Sequence, residues 1–211
     1  MVSLIISFYK DIIALDLIFK TLSIQTCKDF EVIVAEDDNA VLSKEFIDNA
    51  KSIYFFPIKH VSHEKLGFRK TKILNDAIKI SSSEKLVFID GDCLLHKRFI
   101  ESYTQFINEN GYYYGRRVML SPSITKKISI TGDISLLNSL SFILHRVPNP
   151  VSWLYLPLVP QVAKSSREIW GCNWGVLKKY VIGVNGFDED YNAACYGEDL
   201  DIAWRLKKNT N

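Results

Sequence analysis

Short apolar runs alternate with stretches of helical period through the first half of this chain, and that alternation permits few folds. Val2–Phe8 and the FEVIVA run at 30–35 are dense in β-formers, and residues 86–89 repeat the pattern. Residues 54–61 form a further run, in which Pro57 predicts an edge strand or a bulge. Between these runs, residues 11–22 place Ile12, Leu15, Ile18, Phe19 and Leu22 at helical spacing. Ser43 can cap a helix through Phe46, Ile47 and Ala50, and Lys70–Ile80 sets Ile73, Leu74, Ala77 and Ile78 on one face. Residues 99–107 are a further helix. This order predicts an α/β fold with a doubly wound, mostly parallel sheet and right-handed crossovers.

In such a sheet ligands bind beyond the carboxyl ends of the strands. Polar clusters stand at three of those ends: Ser7, Glu36-Asp37 and Asp90-Gly91-Asp92. A carboxylate pair just past a buried strand is costly unless it meets water, a cation or a ligand. A second acidic cluster, Glu198-Asp199 with Asp201 close behind, follows the turn at 185–189. Hard oxygen ligands suit Mg²⁺ or Mn²⁺, and those ions suit a diphosphate. A separate acid is what a metal-assisted group transfer needs as its general base. Together the clusters predict an enzyme acting on a metal–nucleotide substrate.

Composition narrows the field by exclusion. The 211 residues fit one domain, and 47% hydrophobic with 24% charged content is that of a globular protein with a substantial core. A net charge of +2 argues against a nucleic-acid binder. No apolar run reaches the roughly 18 residues of a membrane helix. Val2–Phe8 is short and no basic residue precedes it, so it is a strand rather than a signal peptide. Cys27, Cys93, Cys172 and Cys195 have no CxxC spacing, which predicts reduced thiols in a cytoplasmic protein. His63 and His96 are expected as ordinary surface residues, and Lys70 and Lys72 as a solvated helix face. Beyond 112–120 the pattern loosens. Residues 135–144 are expected to be helical, and 148–160, with four prolines, an irregular lid or acceptor-facing loop. A last helix starts near Glu198 and stops abruptly at Asn211, which predicts an incomplete C-terminus.

Four blocks carry a family resemblance: FEVIVAEDDNA (30–40), HEKLGFRKTKILNDAI (63–78), LVFIDGDCLLHKRFI (86–100) and WGCNWGVLKKYVIGVNGFDEDYNAACYGEDLDIAWRL (170–206). In that order they resemble the family 2 glycosyltransferases of the GT-A fold, in their bacterial galactosyltransferase-like and chondroitin-polymerase-like branch. The resemblance spans the chain except for 121–169. It implies a single GT-A domain, with a Rossmann-like nucleotide-sugar half at 1–120 and an acceptor and catalytic half at 121–211. It further implies that Asp92 binds Mn²⁺ or Mg²⁺, and that Asp90 contacts the ribose or helps hold the metal. Glu36 and Asp37 would read uracil and ribose beside Ser7, although Asp38-Asn39 stands where relatives continue Gly-Ser. Arg69, in Gly67-Phe68-Arg69, would face the diphosphate, and Asn75 would support the loop from its helix. Asp199 would be the general base and Glu198 would orient the acceptor. Trp170, Asn173 and Tyr196 would flank the acceptor, with Trp170 alternatively in the core. The third metal ligand stays open, because no His follows His145.

The implied reaction moves a hexose or N-acetylhexosamine from a UDP-sugar, with inversion. The implied acceptor is a surface-polysaccharide, lipopolysaccharide or capsule saccharide, free or lipid-linked. The implied setting is the cytoplasm, with peripheral contact at the inner membrane. Two other readings remain. A nucleotidyltransferase would need a Gly-rich basic loop after the first strand, and Ser7-Phe8-Tyr9-Lys10 supplies none. A nucleotide-sugar-binding protein without turnover is the non-enzymatic alternative.

Overall fold

The computed structural model describes residues 1–107, 111–153, 169–193 and 197–209, together with the backbone of 162–165. The elements run β1 (Val2–Phe8), α1 (Ile12–Ser23), β2 (Phe30–Glu36), α2 (Val41–Ile53), β3 (Ile58–Ser62), α3 (Lys70–Ile80), β4 (Lys85–Asp90) and α4 (Phe99–Phe106). They continue through β5 (Tyr112–Gly115), α5 (Pro122–Thr131), α6 (Ser139–Leu144), α7 (Pro150–Trp153), β6 (Val162–Ser165), β7 (Trp174–Leu177), α8 (Lys178–Gly183) and α9 (Gly197–Asn209). The seven strands of the described residues join one sheet in the order β3-β2-β1-β4-β7-β5-β6. The first four pair in parallel, while β7 runs antiparallel between β4 and β5, and β6 antiparallel on β5.

Period-two alternation gives the central strands two apolar faces. Leu4, Ile6, Val32, Val34, Val87 and Ile89 pack with Leu15, Ile18 and Phe19 of α1, Ile47 of α2, and Ile100 and Tyr103 of α4. On the other face Ile5, Ile33, Leu86 and Phe88 meet Ile73 and Leu74 of α3, Val181 of α8, and Ile202 and Leu206 of α9. Each such side chain, fully buried, contributes about 1.5–3 kcal/mol relative to an exposed one. That hydrophobic sandwich fixes the register, and the register aligns the strand ends: Phe8 lies beside Glu36, and Ser7 beside Asp90.

Several boundaries differ from those the pattern predicts. β3 begins only at Ile58, because Tyr54 and Phe56 turn inward onto Phe19, with ring centroids 5.5 and 6.0 Å away. Pro57 lacks an N–H, yet its carbonyl still accepts from Val32 at 2.9 Å, and β3 is an edge strand as Pro57 predicts. Ser43 does not cap α2: the helix starts two residues earlier at Val41, and Ser43 is buried within its first turn. Residues 135–144 split into a 3-10 turn and α6, divided at Asn138, whose side chain accepts the Ser141 N–H. In the irregular 148–160 stretch, Pro150–Trp153 form a short helix, and the remainder from 154 lies outside the described residues. α5 is an addition, with Pro122 in its first turn and Gly132 in the left-handed conformation at its end.

Candidate functional site

The start of α3 is the hub on which the acidic clusters converge. Asp37 leaves β2 with its own N–H donating to the Phe8 carbonyl at 3.0 Å. Its carboxylate accepts from the Arg69 backbone N–H at 3.0 Å, from Lys65 Nζ at 3.1 Å, and pairs with His63 Nε2 at 2.8 Å. Burial, the largest influence on this carboxyl, pushes its pKa up, but His63, the Arg69 N–H and Lys65 together hold it below the ordinary value. His63, expected at the surface, is therefore a partner of the site and only 12% exposed at its side chain.

One residue further, Lys70 Nζ lies 3.2 Å from Asp90 Oδ1 and 3.6 Å from Glu198 Oε1. Its side chain is 17% exposed, so the solvated face expected for it is wrong. Burial lowers the ammonium's pKa most, but Asp90, Asp199 and Glu198 outweigh it, and the net displacement is upward. The Arg69 guanidinium donates to the Glu64 carbonyl of its own loop. Lys70 is the cation that bridges Asp90 and Glu198. Replacing it with Met should lower unfolding stability by about 1–3 kcal/mol, since the carboxylates lose a charged hydrogen-bond partner. Urea unfolding measures this, and an unchanged midpoint would contradict the bridging role.

Asp90-Gly91-Asp92 turns against the end of β1. A Cβ on Gly91 would stand 2.7 Å from the Ser7 carbonyl oxygen, so only glycine allows this approach, and Ser7 shapes the turn through its backbone. Asp90 faces Lys70, while the Asp92 carboxylate is exposed. Among the described residues no three His, Cys, Asp or Glu side chains could hold a metal by themselves. The two carboxylates are nonetheless hard-oxygen donors at one strand end. Mg²⁺-like ions commonly use one or two carboxylates and leave the other positions to water and substrate phosphates. The donor set fits a metal arriving with a diphosphate.

The second acidic pair, Glu198-Asp199, comes from the N-terminus of α9. Asn75 on α3 braces the turn that precedes this helix in sequence: it donates to the Phe187 carbonyl at 2.9 Å and to Glu189 at 3.0 Å, and accepts the Phe187 N–H at 2.8 Å. The loop it braces is this turn rather than the Gly67-Phe68-Arg69 loop expected from the sequence. Glu198 is buried, and Asp199 Oδ2 accepts the Gly171 N–H at 2.8 Å. A Cβ on Gly171 would approach that oxygen to 2.7 Å. Burial raises the Asp199 pKa above the ordinary carboxylate value, and Lys70 and the Gly171 N–H offset this only in part. Glu198 Oε2, Glu36 Oε1, His63 Nδ1 and Arg69 Nε are buried without a hydrogen-bond partner among the described residues. Unmet polar atoms concentrated at one strand edge are the mark of a site that completes itself with a ligand.

Along α9, on residues 197, 200, 201, 203, 204 and 207, opens a cleft of about 1270 Å³ whose other walls are β5, the segment after it, Trp170, Cys172 and Asn173. Trp170 is 60% exposed there, which places it on the surface rather than in the core. Asn173 lines the same cleft, but it accepts from the Tyr103 hydroxyl at 2.6 Å and donates to the Arg116 carbonyl at 3.0 Å. Its amide thus braces the wall. Tyr196 lies outside the described residues. Cys27, Cys93 and Cys172 are free thiols.

Residues 3–143 match the glycosyl transferase family 2. Over 104 residues the chain is 28% identical to a validoxylamine A glucosyltransferase from Streptomyces hygroscopicus subsp. jinggangensis, a match covering 48% of this chain and 24% of that protein. The fold resembles the mannosyltransferase PcManGT from Pyrobaculum calidifontis, solved in complex with GDP-Man and Mn²⁺, at TM-score 0.65 and 13% identity. It also resembles S. aureus TarS residues 1–349 in complex with UDP, at TM-score 0.62 and 19% identity. These structural matches cover 99% and 100% of this chain, which spans 52% and 56% of the two structures.

Proposed function

The chain belongs to glycosyl transferase family 2, and from that premise we propose that it transfers a hexose or N-acetylhexosamine from a UDP-sugar, with inversion, to a saccharide acceptor. One observation carries the reading: Asp37, Asp90 and Glu198-Asp199, far apart in sequence, meet around Arg69 and Lys70 at the carboxyl edge of the sheet. Residues 1–120 would supply the donor side, with Ser7, Glu36 and Asp37 around the nucleoside. Residues 121–211 would supply the acceptor side.

Asp90 and Asp92 would hold Mn²⁺ or Mg²⁺, which when bound neutralises diphosphate charge as it grows during departure. Lys70, beside Asp90, adds a fixed positive charge to the same end of the site. Asp199 takes the proton of the acceptor hydroxyl as the hydroxyl oxygen bonds to the anomeric carbon. The bond to UDP breaks on the opposite face, and the configuration inverts. The Gly171 N–H fixes the orientation of the Asp199 carboxylate, and Glu198 stands beside it to orient the acceptor. Surface-polysaccharide, lipopolysaccharide or capsule chains, free or lipid-linked, are the proposed acceptors.

A panel of UDP-sugars titrated calorimetrically with Mn²⁺ should give one donor that binds at least ~10-fold more tightly than UDP-glucuronate, since each 1.4 kcal/mol of differential contact is tenfold. UDP release should then rise when a saccharide acceptor is added. Binding with no release under any acceptor would favour a nucleotide-sugar-binding protein. Absence of both would overturn the proposal.

A further inference from the structure

Lys70 stands between the two acidic clusters, and its two ion pairs differ in what breaking them costs. Its ammonium lies 3.2 Å from Asp90 Oδ1 and 3.6 Å from Glu198 Oε1. The Glu198 side chain is 6% exposed, and its Oε2 is buried without a hydrogen-bond partner among the described residues. Taking Lys70 away from it would strand a buried anion, which is expensive. The Asp90 side chain is 37% exposed, so water or another cation can serve it in place of the ammonium. Asp90 is also one of the two carboxylates whose donor set fits a divalent ion. A dication and an ammonium on one carboxylate repel each other, so a metal that reaches Asp90 must displace Lys70 from it. The neighbours of Lys70 add a second signal: Arg69 Nε and Thr71 Oγ1 are buried without a partner among the described residues. Both are donors, and the first turn of α3 therefore offers more donors than the described residues accept, which suits an anion.

We propose that Lys70 is a diphosphate-binding residue that changes partner with the donor: it keeps Glu198 and exchanges Asp90 for diphosphate oxygens when the metal–nucleotide binds. This rests on the glycosyltransferase reading of the same site. Without the nucleotide, Lys70 competes with a metal ion for Asp90. With the nucleotide, it gives the leaving group a charge-assisted hydrogen bond, because an ammonium on a flexible stem is a compact point charge suited to phosphate oxygens. Glu198 keeps its counter-charge in both states. The same side chain thus weakens the hold on a bare ion and strengthens the hold on the loaded donor. A purely structural lysine would move both affinities in the same direction.

Equilibrium binding tests this without turnover. Mn²⁺ alone is titrated by the paramagnetic resonance of the free ion, and UDP in saturating Mn²⁺ by calorimetry. Lys70→Met should bind bare Mn²⁺ several-fold more tightly than the unmodified protein. It should bind UDP with Mn²⁺ ~10-fold or more weakly, the worth of one charged hydrogen bond. Lys70→Arg, which keeps the charge, should leave the affinity for bare Mn²⁺ unchanged. Amine acetylation of the unmodified protein, read by mass spectrometry, needs no variant to fold. Mn²⁺ alone should speed labelling of Lys70 several-fold, and Mn²⁺ with UDP should slow it below the rate without either. Weakening of both affinities in the Met variant overturns the proposal, as does labelling of Lys70 that neither Mn²⁺ nor UDP changes. No binding of UDP by the unmodified protein would sink the transferase reading and this proposal with it, so the two failures are distinguishable.

Discussion

Replacing Asp199 with Asn is expected to lower kcat by roughly 10²–10⁴-fold, the usual contribution of a general base, with UDP-sugar affinity nearly unchanged. The same change should raise thermal stability. Burial lifts this carboxyl's pKa above its unfolded value, so the folded chain holds the proton more tightly than the unfolded one. Its contribution to stability is then full below the unfolded pKa and is lost as pH rises through the raised folded value. At neutral pH the ionised carboxylate is a net cost, and an amide can still accept the Gly171 N–H. In the unmodified protein the acid limb of kcat should lie above the range of an ordinary carboxylate, and the Asn variant should lack it. Asp201→Asn should behave in the opposite way. Asp201 engages Arg205, whose guanidinium donates to the Val184 and Gly186 carbonyls, both at 2.6 Å, and thereby ties α9 to the loop after α8. Its loss should lower Tm and leave kcat nearly normal. A normal kcat in the Asp199 variant, or equal kcat losses in both, would mean a different base.

Asp92→Ala is expected to abolish the metal-dependent part of UDP-sugar binding. Disturbing groups that merely orient metal ligands costs about 10–100-fold in affinity, so removing a ligand should exceed that. EDTA should reproduce the effect in the unmodified protein and add nothing to the variant. Because Asp92 is exposed, stability should stay within about 0.5 kcal/mol, which separates a binding defect from a folding one. Undiminished donor affinity in EDTA would remove the metal from the site.

The parts legible in the sequence are those set by local periodicity. β1, β2, β4 and α3 fall where alternation and helical spacing put them, because each buries a continuous apolar face. α5 was hidden because only Ile124 and Ile128 are buried in its ten residues, although Pro122 and Gly132 bracketed it. Lys70 and His63 were hidden for another reason. A lysine in the first turn of a polar-sided helix looks like a solvated charge, and only the return of α9 brings Glu198 to it. His63 sits in a loop, and its partner Asp37 lies twenty-six residues away on a different strand end. Neither pairing has a local signature. Trp170 could be read either as platform or as core, since an indole's burial depends on what packs over it; here the ring stays open to the cleft.

The place of β7 between β4 and β5 governs the order in which the chain can become native. β1 to β4 leave the ribosome long before their neighbour does. At ~5–20 residues per second, the β4 edge waits on the order of 4–17 s for residues 174–177. Until then Phe88 lacks the Trp174 ring that finally stacks on it at 4.4 Å. A bare apolar strand edge of that lifetime is a template for pairing with other nascent chains. Expression yield should therefore depend more steeply on chaperone supply and growth temperature than the stability of the finished protein would suggest.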